Sequence, residues 1–220
     1  ITGNEVARHG EPLKPGFIHD ANGPLVASWL QAQGIACTPV WVSDDLAALT
    51  DAIAQAASTA DLVITTGGAS VGSYDYLPQA AEAVGFHCQF HGVAQRPGKP
   101  VWFGQKDNCV LLALPGNPAA VLIGLYVHAA AILSRLQGEA SAPLWQKGRL
   151  AKPTEAHPSL VFLRRMRQYQ DEEGTVWLAP LPNQASHQLS NLAEANALLW
   201  LPAGVGTVES GKILSFLALG

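Results

Sequence analysis

Leu62-Val63-Ile64-Thr65 is a short apolar run of the kind buried on both faces of a parallel sheet, and it leads directly into Thr66-Gly67-Gly68-Ala69-Ser70-Val71-Gly72. A helical pattern follows from about Leu77 to Val84. Strand, glycine-rich loop and helix in that order belong to an open α/β sheet, where ligands bind beyond the carboxyl ends of the strands. Adjacent glycines let backbone amides approach an anion closely, and the Thr and Ser hydroxyls can add hydrogen bonds. No Gly-Lys-Ser/Thr follows, so this is not a Walker loop. The glycines alone are equally compatible with a tight strand-to-helix turn.

The surrounding sequence extends the same pattern. From residue 20 to about 137 helical and strand periods alternate, which predicts an α/β domain with a largely parallel sheet. Asn22-Gly-Pro24 opens a helix with Asn22 as its N-cap, and Leu25, Val26, Trp29 and Leu30 form its apolar stripe. A strand is expected over Ile35 to Val42, and Ser43-Asp44-Asp45 caps a second helix carrying Leu46, Leu49, Ile53 and Ala57. Strands near Phe86 to Val93 and Cys109 to Leu114 follow, the latter entering Pro115-Gly116-Asn117-Pro118 and a helix to about Leu136. Beyond Ser141-Ala142-Pro143 the helical period gives way to short strands at Leu160–Tyr169, Thr175–Ala179, Ala197–Leu201 and Lys212–Phe216, separated by turn residues. A small β-barrel is the expected form, with the domains spanning 1–142 and 143–220.

With 48% apolar and 14% charged residues in a chain of 220, a substantial core can be buried. A formal charge of -4 leaves no electrostatic footprint for nucleic acid or an anionic membrane surface. The longest apolar run, Val121 to Leu133, is interrupted by Gly124 and His128, short of the ~20 residues that span a bilayer. Cys37, Cys88 and Cys109 form no CxxC pair, so a reducing cytoplasm is expected rather than a disulfide framework. The opening Ile1-Thr2-Gly3-Asn4 reads as a strand end entering a turn, from which an upstream extension of the natural protein is expected.

Three features fall at strand ends where chemistry is expected: the Gly67-Gly68 loop, Asp75 at the start of the next helix, and the rigid Pro115-Gly116-Asn117-Pro118 turn. Asp75 could cap its helix or hold a divalent cation over a phosphate, and Asn117 can present an amide to a ligand. Other clusters favour plainer readings. His87-Cys88-Gln89-Phe90-His91 alternates as a half-buried strand with exposed histidines rather than a metal site. Arg164-Arg165-x-Arg167 reads as a solvated strand face rather than a phosphate patch, and Ser186-His187 lacks the elbow and third group of a hydrolase triad. Asp44, Asp45 and Asp20 read first as helix caps.

Together, Thr2-Gly3-Asn4-Glu5, the TTGGASVGSYDY stretch ending at Tyr76, Pro97-Gly98-Lys99-Pro100, the LPGNP turn, Gln184-x-Ser186 and Leu192-Ala193-x-x-Asn196 resemble the molybdopterin molybdenumtransferases in order and spacing. This is the MoeA or gephyrin E-domain family, and the likeness covers essentially the whole chain as the C-terminal half of a larger protomer. The resemblance implies a three-layer molybdopterin-binding α/β domain followed by a β-barrel domain. It implies insertion of molybdate into adenylylated molybdopterin with Mg²⁺-dependent release of AMP, in a cytoplasmic homodimer. It places Glu5 and Asp75 as catalytic and metal-associated residues, and Thr66, Gly67, Gly68, Ser70, Gly72, Lys99, Pro115, Gly116, Asn117 and Pro118 around the phosphate and pterin. Arg96 stands where the family often has lysine, which keeps charge and changes hydrogen-bond geometry. The upstream domains of the family pattern are missing, which implies an incomplete site in this chain alone. Two other functions fit parts of the pattern: a molybdopterin adenylyltransferase, which needs the loop but not the barrel, and a noncatalytic pterin-binding scaffold.

Overall fold

The computed structural model describes residues 1–3, 6–8, 10–68, 76–139, 144–187 and 189–220. Glu5, Ser70, Gly72 and Asp75, with the Ser141-Ala142-Pro143 junction, lie outside the described residues. The chain forms two compact units: residues 1–93 with 100–125, and residues 94–99 with 126–220.

The first unit is built on a six-stranded mixed sheet. Four strands run parallel in the spatial order Trp41–Val42, Thr2–Gly3, Leu62–Thr66 and Cys109–Leu114, while Trp102–Lys106 and then His87–His91 continue the sheet antiparallel. The Leu62–Thr66 strand is apolar because both its faces are covered. Val63, Leu111 and Ala113 pack with Ile53 of helix Leu46–Ala57 and with Leu77, Ala80 and Ala81 of helix Leu77–Val84. On the other face, helix Pro118–Gly124 approaches so closely that a Cβ on Gly124 would collide with the Leu114 side chain, and helix Asn22–Ala32 packs beside it. The result is a three-layer α/β unit.

Several local expectations need correction. Asn22 is not the cap of its helix but its first helical residue, and Asp20 Oδ1 accepts from the N–H groups of Asn22 and Gly23 at 3.0 and 2.9 Å. A carboxylate two residues upstream satisfies two of the orphan donors at once. Of the strand expected over residues 35–42, only Trp41–Val42 pairs. His87–His91 is exposed along its whole length, as the outermost strand of the sheet, with Phe90 stacked on Phe103 of its one strand neighbour. Gly124 and His128 do not interrupt the apolar run: the helix continues through a wider π-type turn at Leu125–Ala129 to Ala130–Leu136. Its 19 residues, with mean hydropathy 1.7, are long and apolar enough to cross a membrane by length and composition alone. Ala119, Val121, Ile123, Leu125 and Ala129 are each buried inside the protein, as in a core helix.

The second unit is a closed five-strand barrel of Val176–Pro180, Gln146–Leu150, Ile213–Ala218, Ala197–Leu201 and Val161–Gln170, the last pairing back to the first. Leu150, Met166, Leu178, Ala197, Leu199 and Phe216 fill it. Gln95–Arg96 adds a short parallel strand outside Val161–Gln170, so a segment far upstream in the chain belongs to this unit. Arg165 is not on a solvated face: it is 1% exposed, and its guanidinium donates to Asn183 O at 3.2 Å and Ala185 O at 3.0 Å. Burial pulls its pKa down to about 10. Adjacent Arg164 and Arg165 point to opposite faces of the strand, so the three arginines do not share one solvated face, and the Leu181–His187 segment folds over Arg165.

Candidate functional site at the carboxyl edge of the parallel sheet

In chain order the first three parallel strands occupy spatial positions 2-1-3, so the connections leave in opposite directions on the two sides of Thr2–Gly3. That reversal falls between Thr2–Gly3 and Leu62–Thr66, and it is beyond the carboxyl ends of strands at such a crevice point that open α/β sheets bind ligands. Thr66, the last residue of the central strand, pairs with Thr2 on one side and Leu114 on the other.

Gly67 and Gly68 follow with φ of +91° and +68°, left-handed backbone that a residue with a Cβ adopts only at a cost. The turn lets Gly67 N–H reach across to Leu114 O at 2.9 Å, binding the glycine turn to the neighbouring strand end. The other turn lies close by: a Cβ added to Gly116 would sit 3.7 Å from Gly67 Cα, at an ordinary contact distance. The structure therefore brings Thr66, Gly67, Gly68, Pro115, Gly116, Asn117 and Pro118 together. Gly68, Gly116 and Asn117 are exposed, and the Asn117 side chain makes no capping bond to the helix it precedes, so its amide is available. Helix Asn22–Ala32 joins the group through Asn22 Nδ2, which donates to Gly116 O at 2.7 Å.

Unpartnered polar atoms are buried on both faces of this strand end and at the start of helix Asn22–Ala32. The side-chain oxygens of Thr65 and Thr66, Asn22 Oδ1 and Asp20 Oδ2 are inaccessible to solvent and have no hydrogen-bond partner among the described residues. Such groups cost free energy unless something satisfies them. Asp45, at the carboxyl end of the Trp41–Val42 strand, has a plainer role: its Oδ1 caps helix Leu46–Ala57 by accepting from Ala48 N–H at 2.9 Å. Arg8 lies with its guanidinium carbon 4.2 Å from the centre of the Trp41 ring. Sequence reasoning missed Asn22 as a tertiary contact and Arg8 altogether; nothing local to either residue signals its distant partner.

Lys99 is exposed and belongs to the second unit, in the segment 94–99. Its local geometry is held by Gln95, which is 7% exposed and donates from Nε2 to Pro97 O at 3.2 Å. Gln95 Oε1 faces His128 Nε2 at 3.1 Å, which assigns the His128 proton to Nε2. Burial lowers the His128 pKa, keeping the ring neutral. Among the described residues no group of three or more His, Cys, Asp and Glu is placed to hold a metal ion.

A mostly parallel sheet whose strand order reverses beside two linked turns, one of paired glycines and one of Pro-Gly-Asn-Pro, is a doubly wound α/β architecture. The chain belongs to the molybdopterin-binding domain family: residues 1–135 match the model described as probable molybdopterin binding domain. Residues 147–219 match the MoeA C-terminal region, domain IV, so the particular arrangement is the MoeA pairing of these two domains. The chain is 32% identical over 223 residues to the molybdopterin molybdenumtransferase of Bacillus subtilis, covering 99% of this chain and 51% of that protein. It is 31% identical over 220 residues to the molybdopterin molybdenumtransferase of Haemophilus influenzae, covering 97% and 54%. The crystal structure of the molybdopterin biosynthesis MoeA protein from Pyrococcus horikoshii has the same fold, with a TM-score of 0.80 at 23% identity over 100% of this chain and 53% of that one. The chain thus spans about half the length of the curated relatives it matches.

Proposed function

We propose that this chain carries the molybdopterin-binding half of a molybdenum insertase, a transferase that loads molybdate onto adenylylated molybdopterin. Water adds across the phosphoanhydride of the adenylylated pterin, returning the pterin phosphate and releasing AMP, as the two dithiolene thiols displace one molybdate oxygen, which leaves with their protons as water. The observation that carries the proposal is the juxtaposition of the Gly67-Gly68 and Pro115–Pro118 turns at the reversal of the sheet, in a chain that also has the barrel. The exposed Asn117 side-chain amide and the glycine backbone there suit a phosphate and a pterin ring edge. The barrel favours the insertase over an adenylyltransferase, which requires only the first unit.

In this reading Glu5 and Asp75 are catalytic and hold Mg²⁺. Carboxylate oxygens match a hard divalent cation, whose contribution when bound is to offset charge on the phosphates. Gly67, Gly68, Ser70 and Gly72 surround the phosphate, Thr66 and the Pro115–Pro118 turn shape the pterin end, and Lys99 offers positive charge to phosphate or molybdate. The division of labour falls at residues 142 and 143, and the working protein is a cytoplasmic homodimer. Calorimetric titration with molybdopterin and its adenylylated form, with and without Mg²⁺ and molybdate, tests the proposal beside Asp75→Asn. Binding strengthened by Mg²⁺ in the natural chain, with that gain lost in the variant, is expected. Metal-independent binding that is identical in the variant would remove Asp75 from the site.

A further inference from the structure

We infer that Asn22 is a positioning residue for this crevice, whose side-chain amide sets the orientation of the Gly116–Asn117 peptide and braces both turns. The inference rests on the molybdopterin-binding reading above and adds to it a residue on a different element, 94 positions from its partner.

An asparagine at the start of a helix ordinarily serves as a local cap. Here Asp20 has taken that work, accepting from the N–H groups of Asn22 and Gly23, and so the Asn22 side chain is released for a tertiary contact. Asp20 is itself fixed: it is 7% exposed, and its N–H donates to Ala7 O at 2.8 Å. Position 23 must be glycine for this arrangement, since a Cβ there would collide with Asp20 Oδ2. The helix start is therefore a rigid mount, and Asn22 Nδ2 projects from it to Gly116 O at 2.7 Å. The acceptor is a carbonyl, so the donor must be the NH₂ end of the amide, and Oδ1 is left buried with no partner among the described residues.

In a trans peptide the carbonyl and the following N–H point in opposite directions. Gripping Gly116 O therefore fixes the direction of Asn117 N–H as well. Two residues before Gly116, Leu114 O accepts from Gly67 N–H at 2.9 Å, which ties the glycine turn to the strand end that feeds the Pro-Gly-Asn-Pro turn. Asn22, the Pro-Gly-Asn-Pro turn and the glycine turn form one braced unit, and the amides that meet the ligand are pre-oriented before it arrives.

The discriminating variant is Asn22→Asp. It keeps size and shape and puts an acid in the first turn of a helix, where the macrodipole favours negative charge. It also sets a carboxylate oxygen against the Gly116 carbonyl. A residue that served only the helix would tolerate this change; a clamp would not. Hydrogen exchange at the Gly67 amide and molybdopterin titration of the 220-residue chain are measured together for the natural chain, Asn22→Asp and Asn22→Ala. The expected result is faster exchange at Gly67 in both variants and a molybdopterin Kd raised roughly tenfold, the equivalent of one hydrogen bond, with the far-UV circular dichroism of Asn22→Asp unchanged. Unaltered exchange in Asn22→Asp would overturn the clamp whatever the ligand does. Faster exchange with an unaltered Kd would overturn its role in binding. A natural chain that ignores molybdopterin while its variants exchange faster would refute the ligand reading and the positioning role together, leaving the brace as a feature of the fold.

Discussion

Replacing Gly67 by alanine isolates the backbone cost of the crevice. At φ +91° an L-residue is strained by about 1–2 kcal/mol. Among the described residues no heavy atom lies within 4 Å of the Cβ that would be added, so the penalty they leave is strain. Gly116→Ala is the matched control. Its Cβ would meet Gly67 Cα at an ordinary 3.7 Å, and its φ lies outside the left-handed range. Both substitutions stiffen the unfolded chain to the same extent, a gain of about 0.4–1 kcal/mol that cancels in the comparison. The difference between them should therefore be the strain alone, about 1–2 kcal/mol. With an m-value of about 2 kcal/mol/M, that separates their urea midpoints by roughly 0.5–1 M. Tryptophan fluorescence reports the first unit through Trp29, Trp41 and Trp102, and its transition is fitted separately from that of the barrel. Equal midpoints for the two variants would show that the glycine turn is not held in its left-handed conformation, and the braced-turn geometry would fall with it.

Two other substitutions probe the second unit. Gln95→Leu removes the acceptor for His128 Nε2 and the donor to Pro97 O in a side chain that is 7% exposed, and should lower stability by about 1–3 kcal/mol in urea unfolding; a neutral result would mean these bonds do not hold the segment. Asp171 accepts from Trp177 Nε1 at 2.7 Å and from the N–H groups of Thr175 and Glu173 at 2.8 and 3.1 Å, the indole bond contributing most to holding its carboxyl below the ordinary aspartate range. Because the folded pKa is depressed, this stabilisation is present above the ordinary aspartate pKa of about 4 and is lost as pH falls through the folded value. Asp171→Asn should be less stable at neutral pH and should flatten the acid limb of the pH–stability curve; curves of identical shape for the two proteins would refute the assignment.

The sequence alone determined what is set by neighbours along the chain. Asp45 caps its helix because Ser-Asp-Asp before an apolar stripe satisfies orphan amides locally. Leu62–Thr66 is a buried parallel strand because nothing else suits an uninterrupted apolar run between turn residues, and the strand Ala197–Leu201 falls at its expected bounds for a similar reason. The two domain types followed from the change of hydrophobic period. Trp102–Lys106 and Gln146–Leu150 were not anticipated, since WFGQK and QKGRL have little alternation and acquire strand character only from their sheet neighbours. Tertiary structure also decided the environment of each face. His87–His91 is exposed because it is an edge, whereas Arg165 is covered because a loop twenty residues later folds over it and offers carbonyls. The crevice belongs to this second kind of knowledge. The motifs named its loops, but the bond of Gly67 N–H to Leu114 O, and the amide of Asn22 on Gly116, exist only because strand order reverses beside Thr2–Gly3 and brings three distant segments to one edge. Local sequence specifies local hydrogen bonds; which strand ends become neighbours is fixed by how the helices bury the two faces of the sheet.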